Sequence, residues 1–168
     1  MTSFSLRQLK LRPGEEHREA LEVELPAFEL GGQRYLSVPE LVPATLVVTQ
    51  ATTGLVFTLA LRARLHGPCY RCLGDAVLEI PIHVREYQAE NVEDEQMATE
   101  YVDGNSLDLS AWGRDAVALE LPDKILCRDD CAGLCAVCGA NLNDEPHVHE
   151  EKVADSRWSA LEAFRDET

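Results

Sequence analysis

The chain has 168 residues, long enough for one domain with a real core or one domain plus a small appendage. It carries 30 acidic and 15 basic residues, a net charge of −15, which argues against an extensive nucleic-acid clamp and for basic partners. No run approaches the roughly 18 apolar residues of a membrane span, and the opening Met1-Thr-Ser-Phe4-Ser-Leu6-Arg7 lacks an apolar leader core, so a soluble, cytoplasmic protein is expected.

Residues 4–9 alternate briefly until Arg12-Pro13-Gly14 breaks the pattern. Residues 16–25 alternate loosely, with Leu21, Val23 and Leu25 on one side and Glu22 and Glu24 on the other. Pro26, Gly31-Gly32, Pro39 and Pro43 then read as loop, followed by the β-branched strand Thr45-Leu-Val-Val-Thr49. From 55 to 65 every odd position is apolar, and from 76 to 84 every even one is, the period-two signature of half-buried strands. Between them lies His66-Gly-Pro-Cys69-Tyr-Arg-Cys72-Leu-Gly74-Asp75, so the first cysteine pair should tip a long antiparallel hairpin.

Residues 88–106 are acidic and nearly core-free and read as a mobile loop. Asp108 or Ser110 can cap a helix carrying Trp112, Ala116 and Leu119, which Pro122 ends. A last short helix is expected after Asp155, with Trp158, Leu161 and Phe164 on its apolar edge.

Six cysteines fall into three close pairs: Cys69 with Cys72, Cys127 with Cys131, and Cys135 with Cys138. His147 and His149 follow. In a reducing compartment such spacing favours metal over a disulfide framework, because a short gap lets one turn aim two sulfurs at one tetrahedral ion. The eight ligands divide in two ways. One division places Cys69, Cys72, Cys127 and Cys131 at a first zinc and Cys135, Cys138, His147 and His149 at a second. The other joins Cys69 and Cys72 to Cys135 and Cys138 at a single zinc, leaving Cys127 and Cys131 reduced. His17, His66 and His83 are isolated and are read as non-functional.

Enzyme readings rank low. A dithiol oxidoreductase places its CxxC at a helix N-terminus, whereas Cys69 lies between strands and Cys135 precedes turn residues. A catalytic zinc needs three ligands, an open position and a nearby base, and neither HExxH nor HxE with PCxxC is present. There is no phosphate-cradling glycine loop either.

The run Leu126-Cys127-Arg-Asp-Asp130-Cys131-Ala-Gly133-Leu134-Cys135-Ala-Val-Cys138-Gly139-Ala-Asn141-Leu142-Asn143 closely resembles the C-terminal motif of the YceD family. Gly67-Pro-Cys69-Tyr-Arg-Cys72-Leu73 matches that family's CxRCL element, and Ala154-Asp155-Ser-Arg157-Trp158-Ser-Ala160-Leu161 its DPRxxxL segment. Two departures are visible: His147-Val-His149 stands where many relatives have CxC, and Ala136 where many have proline. The resemblance implies a part in accumulation of 23S ribosomal RNA and large-subunit assembly.

Charge refines that implication. Residues 1–85 hold 9 Lys and Arg against 9 Asp and Glu, whereas residues 86–168 hold 6 against 21. The expected protein is a non-enzymatic zinc-binding assembly factor that engages a basic large-subunit ribosomal protein. Direct binding of pre-ribosomal 23S rRNA through Arg62, Arg64, Arg71 and Arg85, or a zinc-thiolate redox sensor using Cys127 and Cys131, are the alternatives. The expected fold is α+β: an antiparallel, barrel-like sheet with a few helices and a zinc-knuckle C-terminal segment. Its parts are a β-rich domain over 1–87, the acidic loop over 88–106, and a helix plus cysteine-rich segment over 107–168, packed as one domain.

Overall fold

The computed structural model of the protein describes residues 1–90 and 98–149. The middle of the acidic stretch and the expected helix around Trp158 lie outside the described residues. The chain divides into two units, Met1–Cys131 and Ala132–Thr168.

The first unit is built on the hairpin that the alternating pattern predicts. β6 (Gly54–Pro68) and β7 (Asp75–Ala89) pair antiparallel from Gly54 opposite Ala89 to Pro68 opposite Asp75. Odd residues of β6 (Phe57, Leu59, Leu61, Ala63, Leu65) and even residues of β7 (Ala76, Ile80, Ile82) are buried on one face. On its other side β6 pairs with β5 (Leu41–Gln50), and β5 with β2 (Glu16–Glu24). The β5–β6 ladder begins at Ala44, which is why β5 tolerates Pro43.

The glycine- and proline-rich stretch is not all loop. Gly31 and Gly32, both at positive φ, form the two-residue turn of a hairpin between β3 (Phe28–Leu30) and β4 (Gln33–Ser37). β4 then docks on β6 through Leu36 opposite His66 and Ser37 opposite Leu65. The alternation over residues 4–9 gives only the short β1 (Ser3–Ser5), followed by a single 3-10 turn, Leu6–Gln8. Its partner is equally short: β1 pairs with β9 (Ser106–Asp108), which pairs with β8 (Val102–Asp103).

Asp108 caps α1 (Leu109–Leu119), accepting a hydrogen bond from the Ala111 N–H at 2.9 Å. The helix buries Trp112, Ala116 and Val117 in the same apolar cluster as the inner faces of β2, β5, β6 and β7. Gly113 is where it comes nearest the sheet: a Cβ there would lie 3.2 Å from Leu25 Cδ2 and 3.3 Å from Val23 Cγ1.

The expected barrel does not close. Among the described residues β2 pairs only with β5 and β7 only with β6, so the sheet stays open, its core face filled by the helix and small sheet instead. Only one α-helix is present among the described residues. Among those residues no helix is long and apolar enough to cross a membrane.

Candidate metal centres

The two CxxC segments are built alike. In the first, the Cys69 N–H donates to the Gly74 carbonyl at 2.6 Å and the Leu73 N–H returns to the Cys69 carbonyl at 3.0 Å. In the second, the Cys135 N–H donates to the Ala140 carbonyl at 2.8 Å and the Gly139 N–H to the Cys135 carbonyl at 2.9 Å. Both turns need a left-handed residue just after the second cysteine: Gly139 at φ +75°, and Leu73 at φ +60°. Leu73 is the only non-glycine residue at positive φ among the described residues, so knuckle geometry here overrides side-chain preference.

At the hairpin tip, the Tyr70 N–H donates to the Ile125 carbonyl at 2.8 Å and draws the stretch after α1 alongside. This sets Cys69 Sγ 3.7 Å from Cys131 Sγ and Cys72 Sγ 3.6 Å from Cys127 Sγ, across sequence gaps of 62 and 55 residues. Those separations are well beyond a disulfide bond and close to the ~3.8 Å edge of a thiolate tetrahedron with ~2.3 Å metal–sulfur bonds. All four sulfurs lie within 4.8 Å of one another; Cys69, Cys72 and Cys131 are buried and Cys127 is exposed. Arg71 Nη1 donates to the Cys131 carbonyl at 2.8 Å, and the Tyr35 hydroxyl to the Pro68 carbonyl at 2.9 Å, bracing both approaches to the site.

The second unit brings Cys135, Cys138, His147 and His149 together, again with ligand atoms within 4.8 Å of one another. His147 Nδ1 donates to the Glu145 carbonyl at 2.7 Å, which turns Nε2 towards Cys138 Sγ at 3.2 Å and His149 Nε2 at 3.1 Å. A carbonyl holding the far nitrogen is how ligating histidines have their tautomer fixed. The intervening loop is ordered by its own amides. Asn143 Nδ2 donates to Asn141 Oδ1 at 2.7 Å, Asn143 Oδ1 accepts from the Ala132 N–H at 2.8 Å, and Asn141 Nδ2 reaches Asp144 at 2.6 Å. Leu134 and Asn141 form an isolated bridge beneath.

Acidity follows this geometry. Burial pushes the Cys69 thiol up, but backbone N–H groups of Cys72, Cys127 and Arg71, with the Cys72 thiol, outweigh it and bring Cys69 down to about 6. Cys127 is pushed up to about 12 by desolvation and by the sulfurs of Cys131, Cys72 and Cys69. In the second group the N–H bonds of Cys138 and Val137 hold Cys135 at about 6, against burial, with further help from Cys138 and His147. His147 is raised, first by the Glu145 carbonyl and then by Cys135. Each group therefore holds one ready thiolate, and a bound cation would favour deprotonation of the rest. With only thiolate and imidazole donors, both sets suit a soft or borderline tetrahedral ion, and neither presents the three-ligand, open-position layout of a catalytic zinc.

Of the arginines singled out from sequence, Arg62, Arg64 and Arg85 share the outer face of the sheet, whereas Arg71 lies in the turn at the hairpin tip. Arg62 and Arg64 share Glu79, at 3.8 Å each, on the outer sheet face. Arg85 lies opposite Thr58 on that face, lining a shallow depression with Arg18, His83 and Glu16. Arg71 is engaged at the first cysteine group. Sequence reasoning missed that bracing role, the strained Leu73 and the Asn141–Asn143 scaffold. The CxxC spacing signals the first two only in general terms, and turn-forming composition alone signals the third. It also passed over His66, whose buried Nε2 has no partner among the described residues.

The site thus defines a class: a mainly antiparallel-sheet protein with two knuckle turns and two four-residue Cys/His groups that could hold metal ions. More particularly, residues 57–165 match the family model described as "Large ribosomal RNA subunit accumulation protein YceD", and the chain belongs to that family. Among curated proteins it is 35% identical over 124 residues to uncharacterized proteins of Mycobacterium bovis and Mycobacterium tuberculosis, covering 69% of this chain and 58% of theirs. An uncharacterized Mycobacterium leprae protein is 36% identical over 99 residues, 55% of this chain and 45% of its own length. The chain thus spans about half the length of the curated relatives it matches. No solved structure matches.

Proposed function

We propose that this protein is a non-enzymatic, cytoplasmic factor for large-subunit assembly that binds two structural zinc ions and holds a basic large-subunit ribosomal protein. It supports accumulation of 23S rRNA by that route rather than by clamping the RNA. The observation that carries this reading is the charge map: residues 86–168 hold 21 acidic against 6 basic side chains, repelling phosphate and attracting a basic protein. The arginines add little to an RNA-binding reading, because Arg62 and Arg64 share one carboxylate and Arg71 braces the first cysteine group.

Zinc per chain, by elemental analysis of protein purified without added metal, should be two, falling to one in His147→Ala/His149→Ala. One zinc in both would remove the second site; none would remove the structural-metal reading. Affinity for purified basic large-subunit proteins should drop steeply between low and high salt, since exposed charges are screened within about 10 Å at 0.1 M. A salt-independent complex, or preference for naked rRNA, would overturn the electrostatic partner.

A further inference from the structure

We propose that the outer edge of β2 is a docking site for an extended basic peptide, which adds a strand to the open sheet. This rests on the reading above for the partner's identity and names how such a partner binds. Backbone direction is the first argument. The Gln50 N–H donates to the Glu15 carbonyl at 3.0 Å and the Leu25 N–H to the Glu40 carbonyl at 3.1 Å, so odd positions of this strand bond towards β5. Glu24 faces the opposite way, its N–H donating to Thr2 Oγ1 at 3.1 Å. By the same alternation Arg18, Ala20 and Glu22 aim N–H and C=O away from β5. Among the described residues nothing pairs with them there, and all three side chains are exposed.

Shape and charge supply the other arguments. Beside this edge, on the core-facing side, runs an open trough of ≈ 660 Å³ lined by Phe4, Leu9, Lys10, Leu11, His17 and Glu19, with room for alternate side chains of an added strand. β2 itself carries Glu16, Glu19, Glu22 and Glu24 against Arg18. An acidic edge repels a second acidic strand, including another copy of this chain with its −15 charge, but admits a cationic one. A residue opposite Arg18, Ala20 or Glu22 would project onto the outer face, near Glu16 and Glu22, while its neighbours turn into the trough. The fitting occupant is therefore an extended segment alternating basic and apolar residues, held by main-chain hydrogen bonds as other strand-adding peptides are.

The test uses the full zinc-loaded chain and a fluorescent, end-blocked peptide of alternating lysine and valine. A second peptide is N-methylated at every lysine backbone nitrogen, which keeps charge and sequence but cannot pair with the edge. The methylated peptide should bind at least about 10-fold more weakly. Ala20→Pro, which removes an outward N–H and leaves the β2–β5 ladder intact, should produce a similar loss. If both peptides bind alike, or the wild type binds neither, strand addition is overturned, whatever salt-dependent capture of ribosomal proteins shows. Sedimentation of a dimer that Ala20→Pro dissociates would make a second copy the occupant and overturn the basic peptide equally. Conversely, retained peptide discrimination with no capture of ribosomal proteins would sink the assembly reading and leave the docking edge standing.

Discussion

Leu73 and Gly139 occupy the same place in two copies of one turn, but only Gly139 is a residue that adopts positive φ at little cost. Leu73 is 55% exposed, so little packing offsets its left-handed backbone. Leu73→Gly should therefore raise the denaturation free energy of the metal-loaded protein by about 0.5–1 kcal/mol, and Gly139→Ala should lower it by about 1 kcal/mol. A lower denaturation free energy for Leu73→Gly would mean that the Leu73 side chain contributes more than its strain costs. The thiols give a second expectation. In the folded hairpin tip Cys69 sits at about 6, against an ordinary 9.0. A thiol lowered in the folded state stabilises it fully above the ordinary value and loses that contribution as pH falls through the folded one. Thiolate absorbance of the metal-free protein should thus show a component that falls with a midpoint near 6, and Cys69→Ser should remove it. A midpoint near 9 would show that the N–H groups do not aim at the sulfurs in solution.

At the level of elements, the β6–β7 hairpin depends on one close approach. A Cβ on Gly67 would overlap the Tyr35 ring and lie 2.9 Å from the Arg34 carbonyl, so side chain and backbone would both have to shift. Gly67→Ala should cost about 1–3 kcal/mol and loosen the tip that carries Cys69 and Cys72, readable as a lower urea midpoint and weaker zinc retention. The same elements show what sequence can and cannot reveal. The hairpin was legible because two long alternating runs bracket a CxxC, and α1 because Asp108 caps an apolar stripe that Pro122 ends. The β3–β4 hairpin was obscured because Gly31-Gly32 was read as a break when it is the turn. Closure into a barrel was wrongly expected, because strand pattern fixes faces but says nothing of whether the first and last strands meet. Both cysteine groups were anticipated as one of two divisions; the choice between them depends on the Tyr70–Ile125 bond, a contact 55 residues apart that no local pattern encodes.

Across the whole molecule, stability is unevenly sourced. The first unit buries Trp112, Tyr35, Phe57, Leu46, Leu59 and Leu65 almost completely in one apolar cluster, and burial of that kind persists without metal. Among its described residues, the second unit offers one isolated bridge, a network of short polar bonds and the Cys135–His149 ligand set. With a metal held by that ligand set, its order would come mainly from the ion, since binding free energy at such a site is folding free energy. Chelation should therefore split the molecule's response. Amide exchange over residues 132–149 should rise towards the rate of an unfolded chain, while Phe57–Leu65 and Ile80–Val84 stay protected and the far-ultraviolet signal of the sheet is largely retained. The hairpin tip should show an intermediate loss, because Cys69 keeps its backbone bonds to Gly74 and Leu73 after the metal leaves. Uniform exchange throughout both units after chelation would mean that the ions hold the apolar sheet together as well. Protection of residues 132–149 unchanged by chelation would mean that the amide scaffold of Asn141 and Asn143 orders the second unit unaided.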